Sequence, residues 1–411
     1  MLPPVLEIYV VWHSNDVEGS EAASQIFDHF HGTIFSGLIG GAVEVFMRSE
    51  GWTGPGDAPR PIPFPMEPPP NGIPSAQITA IVPIIGDELA AELGGGNSRW
   101  NAYLKNIRSM RDSMPGAVGI FPLMVDADAM TGTRLGEIFG RYQTIAATSA
   151  FAEPEPAAEL RCRDLAQGIA QLILADEARL TVFVSHTKHE QSAKEHLPEL
   201  IASVRTIIGD TRLRHFFDAN DLQPGGDWDE ELSEQAASSA LLALRTDLYA
   251  TREWCQREMV LSKLHGMPIV ILEALFAGEE RGSFLMDHVP RIPVREDEGA
   301  WRKVDVRRGL NLLVDECLKR CLWRLQEELS KPRTDLNISW WAPHAPEPVT
   351  LADWMLKHIG TGDGHEPLRI MHPDPPLGPE EKHALQQIAA IGGYNGTVDI
   401  LTPRTLAARG A

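Results

Sequence analysis

Cysteine is scarce in this chain: four residues in 411, namely Cys162, Cys255, Cys317 and Cys321. So few cannot staple a fold through a disulfide framework. Cys317 and Cys321 fall four apart in an apparent helix with no zinc-spaced partners nearby. All four read as reduced thiols of a cytosolic protein. Basic side chains are also in deficit, 37 against 57 acidic ones, for a formal net charge of -20. That average field repels a phosphate backbone and argues against nucleic acid as a partner. Long apolar runs are missing too, since nothing approaches the roughly 18–20 residues of a membrane-spanning helix. The opening Met-Leu-Pro-Pro has neither the basic start nor the apolar core of a secretory leader. The expectation is a soluble, cytoplasmic protein that does not engage membranes.

Other signatures are absent. Gly94-Gly95-Gly96-Asn97 is glycine-rich but lacks the Lys-Ser/Thr that grips a nucleotide phosphate, so it reads as a loop. The histidines are scattered, and His186 and His189 have no companions in metal spacing, so no metal site and no resident cofactor are expected. Asp112, Asp126 and Asp128 form an acidic group that reads as solvated surface.

What is present is an ordinary globular composition, 43% hydrophobic and 23% charged, in a chain long enough for two or three domains. Three segments separate. Residues 1–175 contain short apolar runs (7–12, 42–47, 77–84 and 117–125) alternating with helical stretches near 20–35, 100–112 and 157–175. A Pro/Gly-rich insertion at 51–76 reads as loop. This alternation implies a parallel α/β sheet. Residues 178–330 repeat the pattern five times: strands at 179–185, 212–217, 239–245, 267–272 and 289–294, helices at 190–208, 229–238, 252–265 and 304–329. That is the layout of a flavodoxin-like sheet, whose sites gather at the carboxyl ends of its strands. Residues 340–411 form a small α/β segment with two strands, 368–372 and 398–401, around a helix at 379–390.

The stretches that bear on chemistry lie in the middle segment. Phe216-Phe217-Asp218 ends a strand and runs through Pro224-Gly225-Gly226-Asp227 to Trp228 at a helix start. A helix entry offers free N–H groups and a positive dipole end, which suit a phosphate. Thirty residues on, Trp254 and Glu258 fall at i and i+4 on one helix face. An aromatic ring beside a carboxylate suits a nucleotide: the ring stacks on a planar group, and the carboxylate holds ribose hydroxyls or a developing sugar cation. Each piece alone is weak, because Pro-Gly-Gly is an ordinary turn and a Trp precedes a Glu by four often enough by chance.

Taken in order, the strand Val182–His186, the loop from Phe217 to Trp228, the Ser238-Ser239 turn into a strand, and Trp254-Cys255-Gln256-Arg257-Glu258 resemble a TIR (Toll/interleukin-1 receptor) domain of the bacterial and plant enzymatic kind. The resemblance covers about residues 179–328, less than half of the chain. It implies that Glu258 is the glutamate essential for NAD cleavage, with Trp254 one turn before it. It also implies that residues 218–228 are a gating loop whose edge, Trp228, stacks on adenine, and that Ser185 and His186 line the nicotinamide and ribose pocket. The family pattern more often shows a Tyr-Ser or Ser-Tyr pair there. Phe217, Asp218 and Gly225 belong to the same expected substrate-binding edge. The resemblance further implies NAD+ as substrate, nicotinamide and linear or cyclic ADP-ribose as products, and homo-oligomers through TIR–TIR contacts. The implied setting is antiphage defence set off by a protein or small-molecule trigger.

The first segment echoes the same layout with Leu104 in the place of Glu258, and reads as a degenerate TIR-like domain or an unrelated flavodoxin-like sensor. Two rivals to the enzyme remain: a TIR scaffold that recruits other proteins, and a transferase acting on free nucleosides.

Overall fold

The computed structural model describes residues 2, 4–35, 41–52, 54, 57–63, 76–94, 98–146, 156–175, 180–187, 197–209, 211, 213–217, 228–279, 281–358 and 367–409. The chain divides into two compact units, residues 1–178 with 321–330 and 410–411, and residues 179–320 with 331–409. It is an α/β protein built on parallel sheets of the flavodoxin-like class.

In the first unit the strands are β1 (Leu6–Val11), β2 (Val43–Arg48), β3 (Ile78–Ile85), β4 (Val118–Ile120) and β5 (Leu123–Met124). Their order is β2-β1-β3-β4, with β5 also on β3, and every pairing is parallel. All eight residues of β3 are buried, as expected for a strand covered on both faces. The single strand expected at 117–125 is split in two, and Pro83 explains the break. It has no N–H to donate, and it sits between Ile81, paired with Ile120, and Ile84, paired with Leu123. The helix expected at 20–35 starts earlier, at Val17, because the Asp16 carboxylate caps it by accepting from the Gly19 N–H at 2.7 Å. Trp100 and Leu104 are both buried in the core of this unit, so the position that echoes Glu258 is apolar packing. Asp112 is exposed, and Arg141 bonds its carboxylate.

The second unit holds two separate larger sheets. One comprises β6 (Thr181–Ser185), β7 (Arg214–Phe217), β8 (Ala240–Arg245), β9 (Ile269–Glu273) and β10 (Arg291–Pro293). These strands lie in the order β10-β9-β8-β6-β7, all parallel. In chain order that is 2-1-3-4-5, with the order reversing between β6 and β8. The small antiparallel pair β11 (Glu296–Asp297) and β12 (Ala300–Trp301) precedes the long helix Lys303–Ser330.

The last sheet has three parallel strands, β13 (Trp340–Trp341), β14 (Leu368–Met371) and β15 (Val398–Leu401). The sequence led to two. The third, β13, is only two residues long, and a tryptophan pair carries no alternation to mark a strand. A helix not expected from the pattern, Pro348–His358, follows it. No helix among the described residues is long and apolar enough to cross a membrane.

Candidate active site at the carboxyl edge of the second-unit sheet

Strand β6 ends at Ser185, level with Ala243 of β8. These are the two strands between which the order reverses, and ligands of open α/β sheets bind in the crevice outside the carboxyl ends at such a point. After β8 the chain makes a short 3-10 turn, Tyr249–Thr251, and enters the helix Glu253–Leu264. The buried positions of that helix include Cys255, Glu258, Met259 and Ser262, spaced i, i+3, i+4 and i+7 as for a core-facing stripe. Glu258 thus projects from the apolar face of its helix and is only 4% exposed.

A carboxyl group in that position needs partners. Ser185 Oγ donates to Glu258 Oε2 at 2.5 Å, and Ser185 Oγ lies 2.7 Å from the Tyr249 hydroxyl. Burial, the nearby Cys255 and the Glu258 charge hold the Tyr249 phenol well above the ordinary tyrosine value, against a smaller opposing effect of its bond to Ser185. The phenol is therefore protonated. Because the single Ser185 proton is directed to Glu258, Tyr249 is the donor and Ser185 the acceptor in the other bond. The Tyr249 proton points at Ser185 Oγ and the Ser185 proton at one Glu258 carboxyl oxygen, so the two hydroxyls act in series on its orientation.

The edge around this relay is braced. Asp247 accepts from the backbone N–H groups of Phe276, Ala277 and Gly278 at 2.9, 2.8 and 3.2 Å. Arg245 bonds both carboxyl oxygens of Glu279 and reaches Glu273 Oε1 at 3.3 Å. These contacts tie the segment after β9 to the end of β8, so the rim of the crevice is held by charge-assisted bonds.

The other residues singled out from the sequence are dispersed. Trp254 lies at the solvent edge, 38% exposed, with the Arg257 guanidinium 5.1 Å from its ring centroid. It is one turn before Glu258, but Glu258 faces inward while the indole faces out. His186 is half-buried, its Nδ1 donating to the Thr187 carbonyl at 3.0 Å. Phe217 closes β7 opposite Val184. Trp228 begins the helix Trp228–Ser238. Asp218 and Gly225, with the rest of the loop 218–227, lie outside the described residues. Among the described residues no group of three or more His, Cys, Asp or Glu could hold a metal ion.

Tyr249 was not singled out from the sequence. Its signal was available as an aromatic residue just after a buried strand that ends in the polar Arg245-Thr246-Asp247, where carboxyl-edge residues of a parallel sheet collect. Compared with known proteins, the chain matches no family model and no curated protein.

A buried carboxyl oriented by two hydroxyls can accept a hydrogen bond from a sugar hydroxyl, hold a positive charge developing on a sugar carbon, or take a proton from water.

Proposed function

We propose that residues 178–330 form a TIR-type domain that cleaves NAD+ at the bond between nicotinamide and ribose, with Glu258 as the catalytic residue. The observation that carries this reading is the Tyr249–Ser185–Glu258 relay at the point where the strand order reverses. Nicotinamide in NAD+ is bound through a positively charged ring nitrogen. When the bond from that nitrogen to the ribose carbon breaks, the electron pair leaves with neutral nicotinamide and the ribose carbon becomes cationic. No proton need be delivered to the leaving group, so one carboxylate suffices. Glu258 opposes the positive charge, or grips the ribose hydroxyls so that the charge develops in place. Water then adds to the carbon and loses a proton, giving ADP-ribose; attack by a nucleophile of the same molecule gives a cyclic isomer. Ser185 and Tyr249 act as positioning residues. Trp254 supplies an aromatic edge for a planar group.

On this reading the protein works in the cytoplasm, assembles through TIR–TIR contacts and answers a protein or small-molecule trigger in antiphage defence. The deciding experiment is release of nicotinamide from NAD+ by the purified chain at high concentration, beside Glu258→Gln and Glu258→Ala.

One observation favours a second reading, a non-catalytic scaffold. Glu258 is buried and bonded, the condition of a polar group whose work is to fix a unique core. A scaffold leaves NAD+ intact at every protein concentration, which separates the two.

A further inference from the structure

In the first unit, part of the Pro/Gly-rich insertion packs back on the sheet: Ala58 and Ile62 join Tyr9, Phe46 and Tyr103 in one apolar cluster. Arg60 lies between them in sequence and is exposed, and the Tyr103 hydroxyl donates to its carbonyl at 3.5 Å. Arg48, the last residue of β2, is half-buried. Its guanidinium carbon lies 5.2 Å from the Tyr9 ring centroid and 5.4 Å from that of Phe46, two rings stacked 4.9 Å apart at 20°. Its Nη1 donates to the Met47 carbonyl at 3.0 Å. The Arg60 guanidinium lies 5.1 Å from the ring centroid of Trp52, which is 83% exposed.

The two arginines are cations brought together without an anion. Among the described residues neither pairs with a carboxylate. The acids nearby are committed elsewhere: Asp57 to Arg99 at 2.8 Å, and Glu7 to the Tyr9 hydroxyl at 3.0 Å and the Ala76 N–H at 3.4 Å. Burial first, then the positive charge of Arg60, lower the Arg48 guanidinium below its ordinary value, and Glu7 has the smallest of the opposing effects. In a chain with 57 acidic and 37 basic side chains, an arginine that meets a like charge rather than a carboxylate runs against the average field. Aromatic rings, not acids, hold both guanidiniums in place.

We infer that Arg48 and Arg60 together bind the phosphate of a small nucleotide, whose base stacks on the Trp52 indole. Three observations set the class. Two neighbouring guanidiniums call for an anion with several acceptor oxygens and more than one charge, which a phosphate monoester supplies and which the arginine fork matches. Beside Arg60, Trp52 presents a broad flat ring to solvent, a platform on which any base can stack. Arg48 ends β2 at the carboxyl edge of a parallel sheet, where ligands of such sheets collect. The ring contacts set the guanidiniums in place before a ligand arrives, which lowers the cost of ordering them on binding. This site lies in the first unit and is independent of the chemistry proposed for Glu258.

The test is calorimetry on the full chain at about 0.15 M salt, with AMP and UMP as probes and adenosine and inorganic phosphate as the parts taken singly. The expected result is binding of at least one nucleotide with Kd between roughly 10 μM and 1 mM, and at least about tenfold weaker binding of adenosine and of inorganic phosphate. Three variants are read beside the wild type. Arg60→Gln and Trp52→Ala alter exposed side chains and should melt close to the wild type. The first is expected to weaken the nucleotide at least about tenfold and the second at least about fivefold. Arg48→Lys keeps the charge of a half-buried side chain but loses the planar fork, and should weaken it at least about fivefold. Silence from both nucleotides up to about 5 mM, beyond the weak end of the expected range, overturns the inference. So does adenosine or inorganic phosphate binding as tightly as the nucleotide, or an affinity unchanged in folded Arg60→Gln or Trp52→Ala.

Discussion

Ser185 donates its only hydroxyl proton to Glu258, from the end of one strand to a helix that follows another. The two residues are 73 positions apart, so the bond exists only because β6 and β8 are neighbours in the sheet. It joins the reversal of strand order to the one buried acid of the helix Glu253–Leu264, and Tyr249 extends it by a second hydrogen bond.

Ser185→Ala leaves a buried phenol and a buried carboxyl without their shared partner, a cost of about 1–3 kcal/mol. Tyr249→Phe leaves the Ser185–Glu258 bond in place and costs about 1 kcal/mol. In a double-mutant cycle the two changes are expected to couple by about 0.5–3 kcal/mol, read by denaturant unfolding. Nicotinamide release should fall about 10- to 100-fold in kcat for Ser185→Ala and less for Tyr249→Phe. Additive stabilities would mean that the relay does not act as a unit.

Trp254 is exposed and its truncation opens no cavity. Trp254→Ala is expected to leave the melting temperature within about 2 °C of wild type, as for surface changes within about 0.5 kcal/mol, while raising the KM for NAD+. A large fall in kcat with KM unchanged would remove the indole from substrate binding.

Burial lowers the imidazoles of His344 and His372 to about 4. The unfolded chain binds these protons near the ordinary value of about 6.5, whereas the folded chain resists them until about 4. Their contribution to stability is therefore complete above about pH 6.5 and falls as the pH drops toward 4, by on the order of 2–3 kcal/mol for each histidine. His372 donates from Nδ1 to the Pro373 carbonyl, and its Nε2 has no hydrogen-bond partner among the described residues. Thermal melts at pH 7.5 and 4.5 should show a smaller acid destabilisation for His372→Gln than for wild type; equal losses would contradict this assignment.

Lys263 and Glu347 form a buried pair. Removing one partner strands the other, so Lys263→Met is expected to cost about 3–5 kcal/mol, and Lys263→Met/Glu347→Leu to recover most of it. Unfolding midpoints of the two variants decide the point, and a double variant no better than the single one would show that the charges do not compensate each other.

The sheets were legible because each parallel strand is a short apolar run bounded by helix patterns, as in Ile78–Ile85 and Ala240–Arg245. Their boundaries moved where a single residue intervened, Pro83 dividing the neighbouring strand and Asp16 starting a helix early. Strand β13 escaped because two tryptophans give no period. Glu258 was legible as a residue one turn after Trp254, but its inward direction was not. That direction comes from the stripe of Cys255, Met259 and Ser262, which makes position 258 a core position. The partnership with Ser185 and Tyr249 could not be read from local spacing at all, since it is made by strand order.

Nicotinamide release from NAD+ by wild type and by Glu258→Gln tests the central claim most directly. Glutamine keeps an oxygen to accept from Ser185, so the fold is expected to melt as the wild type does. Release should then fall by at least about 10³-fold, the scale on which loss of a charge aimed at a transition state is felt. Undiminished release from the folded Glu258→Gln variant would contradict the account and place the chemistry elsewhere.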